Sequence, residues 1–85
     1  MSNKAFVKDT LRYTEGVLRA AGIEDALTEA RILIQHVLQV DGARFLLRLD
    51  DFLDLDQKRQ IDAVVERRLL REPLAYIVGH VEFYD

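Results

Sequence analysis

Apolar residues recur at three- and four-residue spacing along most of this chain, and only its last few positions alternate. The first spacing belongs to amphipathic helices and the second to strands. A first helix is predicted from Asp9 to Ala21, with Tyr13, Val17, Leu18 and Ala21 as its buried stripe. Asp9 or Thr10 is placed to cap it, since a side-chain oxygen there accepts an orphan backbone N–H. Gly16 falls mid-helix, where glycine costs about 1 kcal/mol relative to alanine. The close approach of a second helix is one reason to keep it. Gly22 followed by Ile23 reads as a Schellman stop, with glycine left-handed and isoleucine packing back on the last turn.

The second helix runs from Asp25 to Val40. Leu27, Ala30, Leu33, Ile34, Val37 and Leu38 form the most hydrophobic stripe in the chain, which places this helix centrally. Glu29, Arg31 and Gln35 are expected to face away. Asp41-Gly42 ends it, and a short third helix from Ala43 to Leu49 covers one end of the core with Phe45, Leu46 and Leu49. Residues 50–56 read as a polar connection with apolar anchors, in which Asp54 or Asp56 caps the next helix. The fourth helix, Gln57 to Arg71, buries Ile61, Val64, Val65 and Leu69. Asp54 and Asp56 lie near its start and Arg67, Arg68 and Arg71 near its end, complementing the helix dipole at both ends.

Pro73 stops the fourth helix and can open a short turn over Leu74 to Val78, ended by Gly79. Val81 and Phe83 then alternate with His80 and Glu82, the pattern of a strand. No other segment alternates, and a lone strand leaves its backbone groups unpaired. Either its partner lies beyond Asp85 or the tail is frayed. The fold class expected is all-α: a small bundle of four to five helices over residues 1–71, with residues 72–85 starting a linker or hairpin to a further domain.

Composition narrows the function. Hydrophobic residues make up 49% and charged residues 32%, enough for a core in 85 residues. A chain of this length buries only about 60–65% of the surface its unfolded form exposes. The first 42 residues carry five Lys/Arg against six Asp/Glu and the rest seven against nine, for a net charge of −3. With neither half basic, nucleic acid is not the expected partner. No stretch approaches the roughly 20 apolar residues of a membrane span, and the N-terminus lacks a signal-peptide core. A soluble, cytoplasmic protein is the expectation.

Catalytic chemistry is missing. There are no cysteines, and the two histidines, His36 and His80, make no paired-ligand motif. His36 is expected in a helix-surface or packing role rather than as a ligand. Ser2 is the one serine, and Thr10, Thr14 and Thr28 read as caps or surface residues. The four glycines are isolated, which excludes a P-loop or dinucleotide fingerprint. Asp50, Asp51, Asp54 and Asp56 imitate a calcium loop but lack its central glycine and its closing glutamate, since Ile61 stands at the twelfth position. No catalytic, cofactor-binding or metal-binding residue is assigned. Arg67, Arg68 and Arg71 are candidate contacts for an anionic partner surface, against the plainer reading of a C-terminal helix charge set.

One segment says more. Arg71-Glu72-Pro73-Leu74-Ala75-Tyr76-Ile77-Val78-Gly79-His80-Val81-Glu82-Phe83-Tyr84 resembles a signature of the HemK-like protein-(glutamine-N5) methyltransferases. In that family a Gly-Glu-Pro-x-Ala-Tyr-Ile-x-Gly-x-x-Glu-Phe pattern joins an N-terminal helical domain to the methyltransferase domain. Glu72, Pro73, Ala75, Tyr76, Ile77, Gly79, Glu82 and Phe83 match. Arg71 stands where the family has Gly and should alter only how the fourth helix ends. Asp25 to Leu38 is similar to the family's second helix, and the Ala-Gly-Ile ending of the first helix fits as well.

The resemblance implies a parent enzyme that transfers methyl from S-adenosylmethionine to a glutamine side chain. In the release-factor branch the target is the Gln of the Gly-Gly-Gln loop of class I peptide-release factors. A sister branch modifies a ribosomal protein, and Glu72-Pro73 with Ile77-Val78-Gly79 fits the release-factor branch better. The family's Asn-Pro-Pro-Tyr motif and glycine-rich cofactor loop are missing here. The implied role is therefore substrate recognition beside a catalytic domain that this chain does not contain. A stand-alone helical interaction module is the alternative.

Overall fold

The computed structural model describes residues 5–79, which form β1 (Ala5–Phe6), α1 (Val7–Ala20), α2 (Ala26–Leu38), α3 (Gly42–Leu47), β2 (Phe52–Leu53), α4 (Leu55–Leu69) and α5 (Leu74–Ile77). The strand expected at Val81 and Phe83 lies outside the described residues. The all-α bundle is as the periodicity implies. Contacts are most extensive between α1 and α2 and next between α2 and α4, so α2 is the central helix. It buries Ala26, Ala30, Leu33, Ile34 and Leu38. Leu27, expected in the stripe, sits at its edge and is 36% exposed.

The inward face of α1 differs from the expected one. The helix starts at Val7 and buries Val7, Thr10, Thr14 and Leu18, a run spaced by three, four and four. Tyr13 precedes Thr14 by one residue, about 100° around the helix, and is 68% exposed. Ala21 is half-buried. Thr10 and Thr14 therefore take inward positions on this helix and Tyr13 does not. Neither Asp9 nor Thr10 caps this helix: its cap is Phe6, without a side-chain bond. The orphan donors are met by backbone instead, with Val7 N–H donating to the Asp51 carbonyl at 2.9 Å and Lys8 N–H to that of Leu49 at 3.0 Å. Gly16 is solvent-facing and nothing lies within 4 Å of a Cβ built there, so no helix approaches it.

The connection before α4 is more ordered than its composition implies. β1 and β2 pair antiparallel, Ala5 with Leu53 and Phe6 with Phe52. The Phe6 and Phe52 rings stack with centroids 4.4 Å apart, and the Lys8 ammonium sits 5.3 Å from the Phe6 ring centroid. Strands of two residues are too short to show alternation. Asp54 caps α4 in a capping box: Gln57 N–H donates to Asp54 Oδ1 at 2.7 Å, and Asp54 N–H donates to Gln57 Oε1 at 3.0 Å. Asp41 caps α3 by accepting from Arg44 N–H at 2.8 Å. Of the α3 residues expected to cover the core, Phe45 is buried and Leu49 half-buried, but Leu46 is 60% exposed.

One continuous core joins these elements, with Val7, Leu18, Leu33, Ile34, Phe45 and Ile61 as its most buried large side chains. Two helices end in full Schellman motifs. After α1, Gly22 has φ +89°, and Ile23 N–H reaches the Leu18 carbonyl at 3.1 Å while Gly22 N–H reaches that of Arg19 at 3.0 Å. After α4 the left-handed position is Arg71, φ +72°, with Glu72 N–H on the Arg67 carbonyl at 3.1 Å and Arg71 N–H on that of Arg68 at 2.9 Å.

Candidate functional site

The three arginines singled out from the sequence all come to the turn between α4 and α5, and each is engaged within the chain. Arg67 Nε donates to Glu72 Oε1 at 2.9 Å, and its Nη2 donates to Glu72 Oε2. Arg68 Nε donates to Glu29 Oε1 at 2.6 Å, and its Nη1 lies 3.4 Å from the Glu72 carbonyl. Glu29, expected to face solvent from α2, is instead the half-buried partner of α4. Arg71 Nη2 donates to the Ala21 carbonyl, the capping residue of α1. This set of contacts links the C-terminal end of α4 to α1, α2 and the segment leading into α5.

The joining segment is held by the same turn. Pro73 caps α5 at φ −59°, and its carbonyl accepts Tyr76 N–H at 3.0 Å and Ile77 N–H at 3.2 Å. Ile77 is 4% exposed and anchors α5 in the core, while Ala75 and Tyr76 face solvent. Gly79 closes the described chain at φ +88°, a conformation suited to glycine. Glu82 and Phe83, the last two motif positions, lie outside the described residues. Hydrogen bonding from Arg67, helped by its positive charge, holds the Glu72 carboxyl below its ordinary pKa, and the same contact raises that of Arg67.

A second feature was not legible in the sequence. An open cleft of about 460 Å³ is lined by Ala5, Asp9, Thr10 and Tyr13 on one side and by Lys58 and Asp62 of α4 on the other. Lys58 Nζ and Asp62 Oδ1 are 2.9 Å apart. Placing Tyr13 in the core concealed this cleft. The signal available was two pairs at i, i+4 spacing, Asp9 with Tyr13 and Lys58 with Asp62.

The aspartates of residues 50–56 each have a partner within the chain. Asp50 pairs with Lys8 at 2.9 Å, Asp51 lies 3.8 Å from Arg48, Asp54 is a cap, and Asp56 accepts from Gln60 at 2.7 Å. Among the described residues no group of three or more His, Cys, Asp or Glu is placed to hold a metal. No described helix is long and apolar enough to cross a membrane. His36 is half-buried on α2, and its backbone carbonyl accepts from Gln39 Nε2 at 2.8 Å.

A helical domain that ends in a tightly tied Glu-Pro-x-Ala-Tyr-Ile-x-Gly turn is the class these features define. The profile of the PrmC N-terminal domain family matches residues 9–79, and the chain belongs to that family. A release factor glutamine methyltransferase of Cereibacter sphaeroides is 37% identical over 76 residues, which is 89% of this chain and 27% of that protein. One from Agrobacterium fabrum is 37% identical over 67 residues, 79% of this chain and 23% of that protein. A bifunctional methyltransferase of Rickettsia felis is 36% identical over 79 residues, 93% of this chain and 15% of that protein. The chain thus spans about a quarter or less of the length of these relatives. No solved structure matches.

Proposed function

We propose that this chain is the substrate-holding N-terminal domain of an S-adenosylmethionine-dependent protein-(glutamine-N5) methyltransferase acting on the Gly-Gly-Gln loop of class I peptide-release factors. The observation that carries the reading is the family match over residues 9–79, joined to relatives whose names specify release factors. No cofactor-binding residue is assigned to this chain. S-adenosylmethionine would supply the methyl group from a pocket built by other polypeptide, in the cytoplasm where peptide release occurs.

The domain's contribution is positional. A second contact surface on a folded protein substrate reduces the orientational freedom of its target loop, and orientation of that kind accounts for much of a catalytic advantage. The bonds of Arg67, Arg68 and Arg71 make the α4–α5 turn a stiff support for whatever follows Gly79. Arg67, with 44% of its side chain exposed, and Arg71 still reach solvent and are the proposed contacts for an acidic part of the partner. Arg68, at 19%, serves the interior.

The test is methyl transfer by the longer protein that contains this chain, assayed on a class I release factor and on ribosomal proteins. Label on the loop glutamine, lost when that residue is changed, is expected. Label on a ribosomal protein alone would overturn the release-factor reading.

A further inference from the structure

We propose that the end of the bundle formed by α3, β2 and the start of α4 is a docking surface for a protein partner that presents apolar side chains flanked by Lys and Arg. Among the described residues, four of the eight large apolar side chains left exposed fall within residues 46–55: Leu46 and Leu47 on α3, Phe52 on β2 and Leu55 at the start of α4. Leu47 is the most exposed of the eight, at 81%. Phe52 is fixed by its stack on Phe6, yet half of it is open to solvent. Scattered apolar side chains on a surface need no explanation, but a concentration of them with a polar surround marks an interaction surface.

The charge at this end selects the occupant. Residues 41–56 hold five aspartates and two arginines, while the rest of the chain holds ten acidic and ten basic residues, so the whole net charge of −3 is carried here. Lys8 reaches in to pair with Asp50, and Arg48 lies 3.8 Å from Asp51. Asp41, Asp54 and Asp56 instead accept from neutral donors, the N–H groups of Arg44 and Gln57 and the Gln60 amide, which hold the carboxylates without cancelling their charge. A second copy meeting this surface face to face would set one acidic pole against another, and nucleic acid or an anionic bilayer would be repelled as well. A basic protein surface with apolar anchors meets complementary charge and buries the leucines. With 15 residues, α4 spans about 22 Å, so this surface lies well away from the turn that carries Arg67, Arg68 and Arg71. The domain thus offers a partner two poles of opposite sign.

This contact rests on the reading that the domain holds a protein substrate, but the titration that tests it does not. The 15N-labelled chain is titrated with an amphipathic helical peptide of Leu and Lys, with the same peptide carrying Glu for Lys, and with one carrying Ser for Leu. Saturable shifts centred on the amides of residues 44–56 are expected with the Leu–Lys peptide alone. Its affinity should fall about threefold or more between about 50 and 300 mM salt. Leu47→Ser, at a position open to solvent, is expected to weaken binding about fivefold or more. Asp56→Asn, which keeps an acceptor for Gln60, should weaken it less and flatten the salt dependence. No shift with the Leu–Lys peptide, equal shifts with either control, shifts centred on residues 62–79, or unchanged affinity in Leu47→Ser would overturn the proposal. So would movement of the same amides as the chain alone is concentrated, which would make the surface a contact between copies. Failure of methyl transfer to release factors would overturn the functional reading and leave this titration standing.

Discussion

Arg68 of α4 and Glu29 of α2, 39 positions apart in sequence, form the most buried ion pair among the described residues, with side chains at 19% and 16% exposure. The pair fixes the C-terminal end of α4 against the start of the central helix. Its geometry is good at Nε–Oε1, 2.6 Å, and long at Nη2–Oε2, 3.5 Å. Removing the arginine strands a half-buried carboxylate, so Arg68→Ala is expected to cost about 1–3 kcal/mol. Replacing both partners by apolar residues, Arg68→Met with Glu29→Leu, should cost less than the single change. Urea denaturation of Arg68→Met, Glu29→Leu and the double variant checks this as a mutant cycle.

Arg71 occupies a left-handed position that the family pattern gives to glycine, and it donates from its guanidinium to the Ala21 carbonyl. Two opposed terms follow. Glycine there relieves about 1 kcal/mol of backbone strain, while losing the side-chain bond costs about the same. Arg71→Gly should therefore leave the thermal midpoint nearly unchanged. Arg71→Ala keeps the strain and loses the bond, and should be about 1 kcal/mol less stable than Arg71→Gly.

The Glu72–Arg67 contact makes stability sensitive to acid. The folded pKa of Glu72 is lowered by hydrogen bonding to Arg67. Its contribution is therefore complete above the unfolded value of about 4.3 and is lost as pH falls through the lower folded value. Denaturation midpoints at pH 7 and pH 3 should differ more for the natural sequence than for Glu72→Gln. Equal differences would show that the carboxylate is unpaired in solution.

The capping box of α4 gives a local test. Asp54→Ala removes the acceptor for Gln57 N–H and is expected to destabilise the domain by about 1 kcal/mol. Asp54→Asn retains an acceptor and should cost less. Circular dichroism during thermal unfolding separates the two.

These tests follow the line between what periodicity reveals and what it conceals. The stripe of α2 and the glycine stop after α1 are local features, and both were legible from spacing and residue type. The face of α1 was not, because its inward positions include Thr10 and Thr14, polar residues that an apolar stripe does not pick out. A pair of two-residue strands has too few positions to leave a pattern. Glu29 looked like a surface residue because its partner, Arg68, is remote in sequence. Likewise the cleft needs two helices side by side, and no single segment encodes it. The joining motif was legible as a pattern up to Phe83, while its structural role is visible from Glu72 to Gly79, where Pro73 caps α5 and Ile77 anchors it.

The proposed role, holding a folded substrate for a methyltransferase, is tested on the longer protein that would carry this chain. The direct measurement is kcat/KM of the longer enzyme with and without residues 1–71, on intact release factor and on a short Gly-Gly-Gln peptide. A deletion that lowers the value for the intact factor by about tenfold or more, with the peptide value unchanged, is the expected result. An undiminished value on the intact factor would rule out that role.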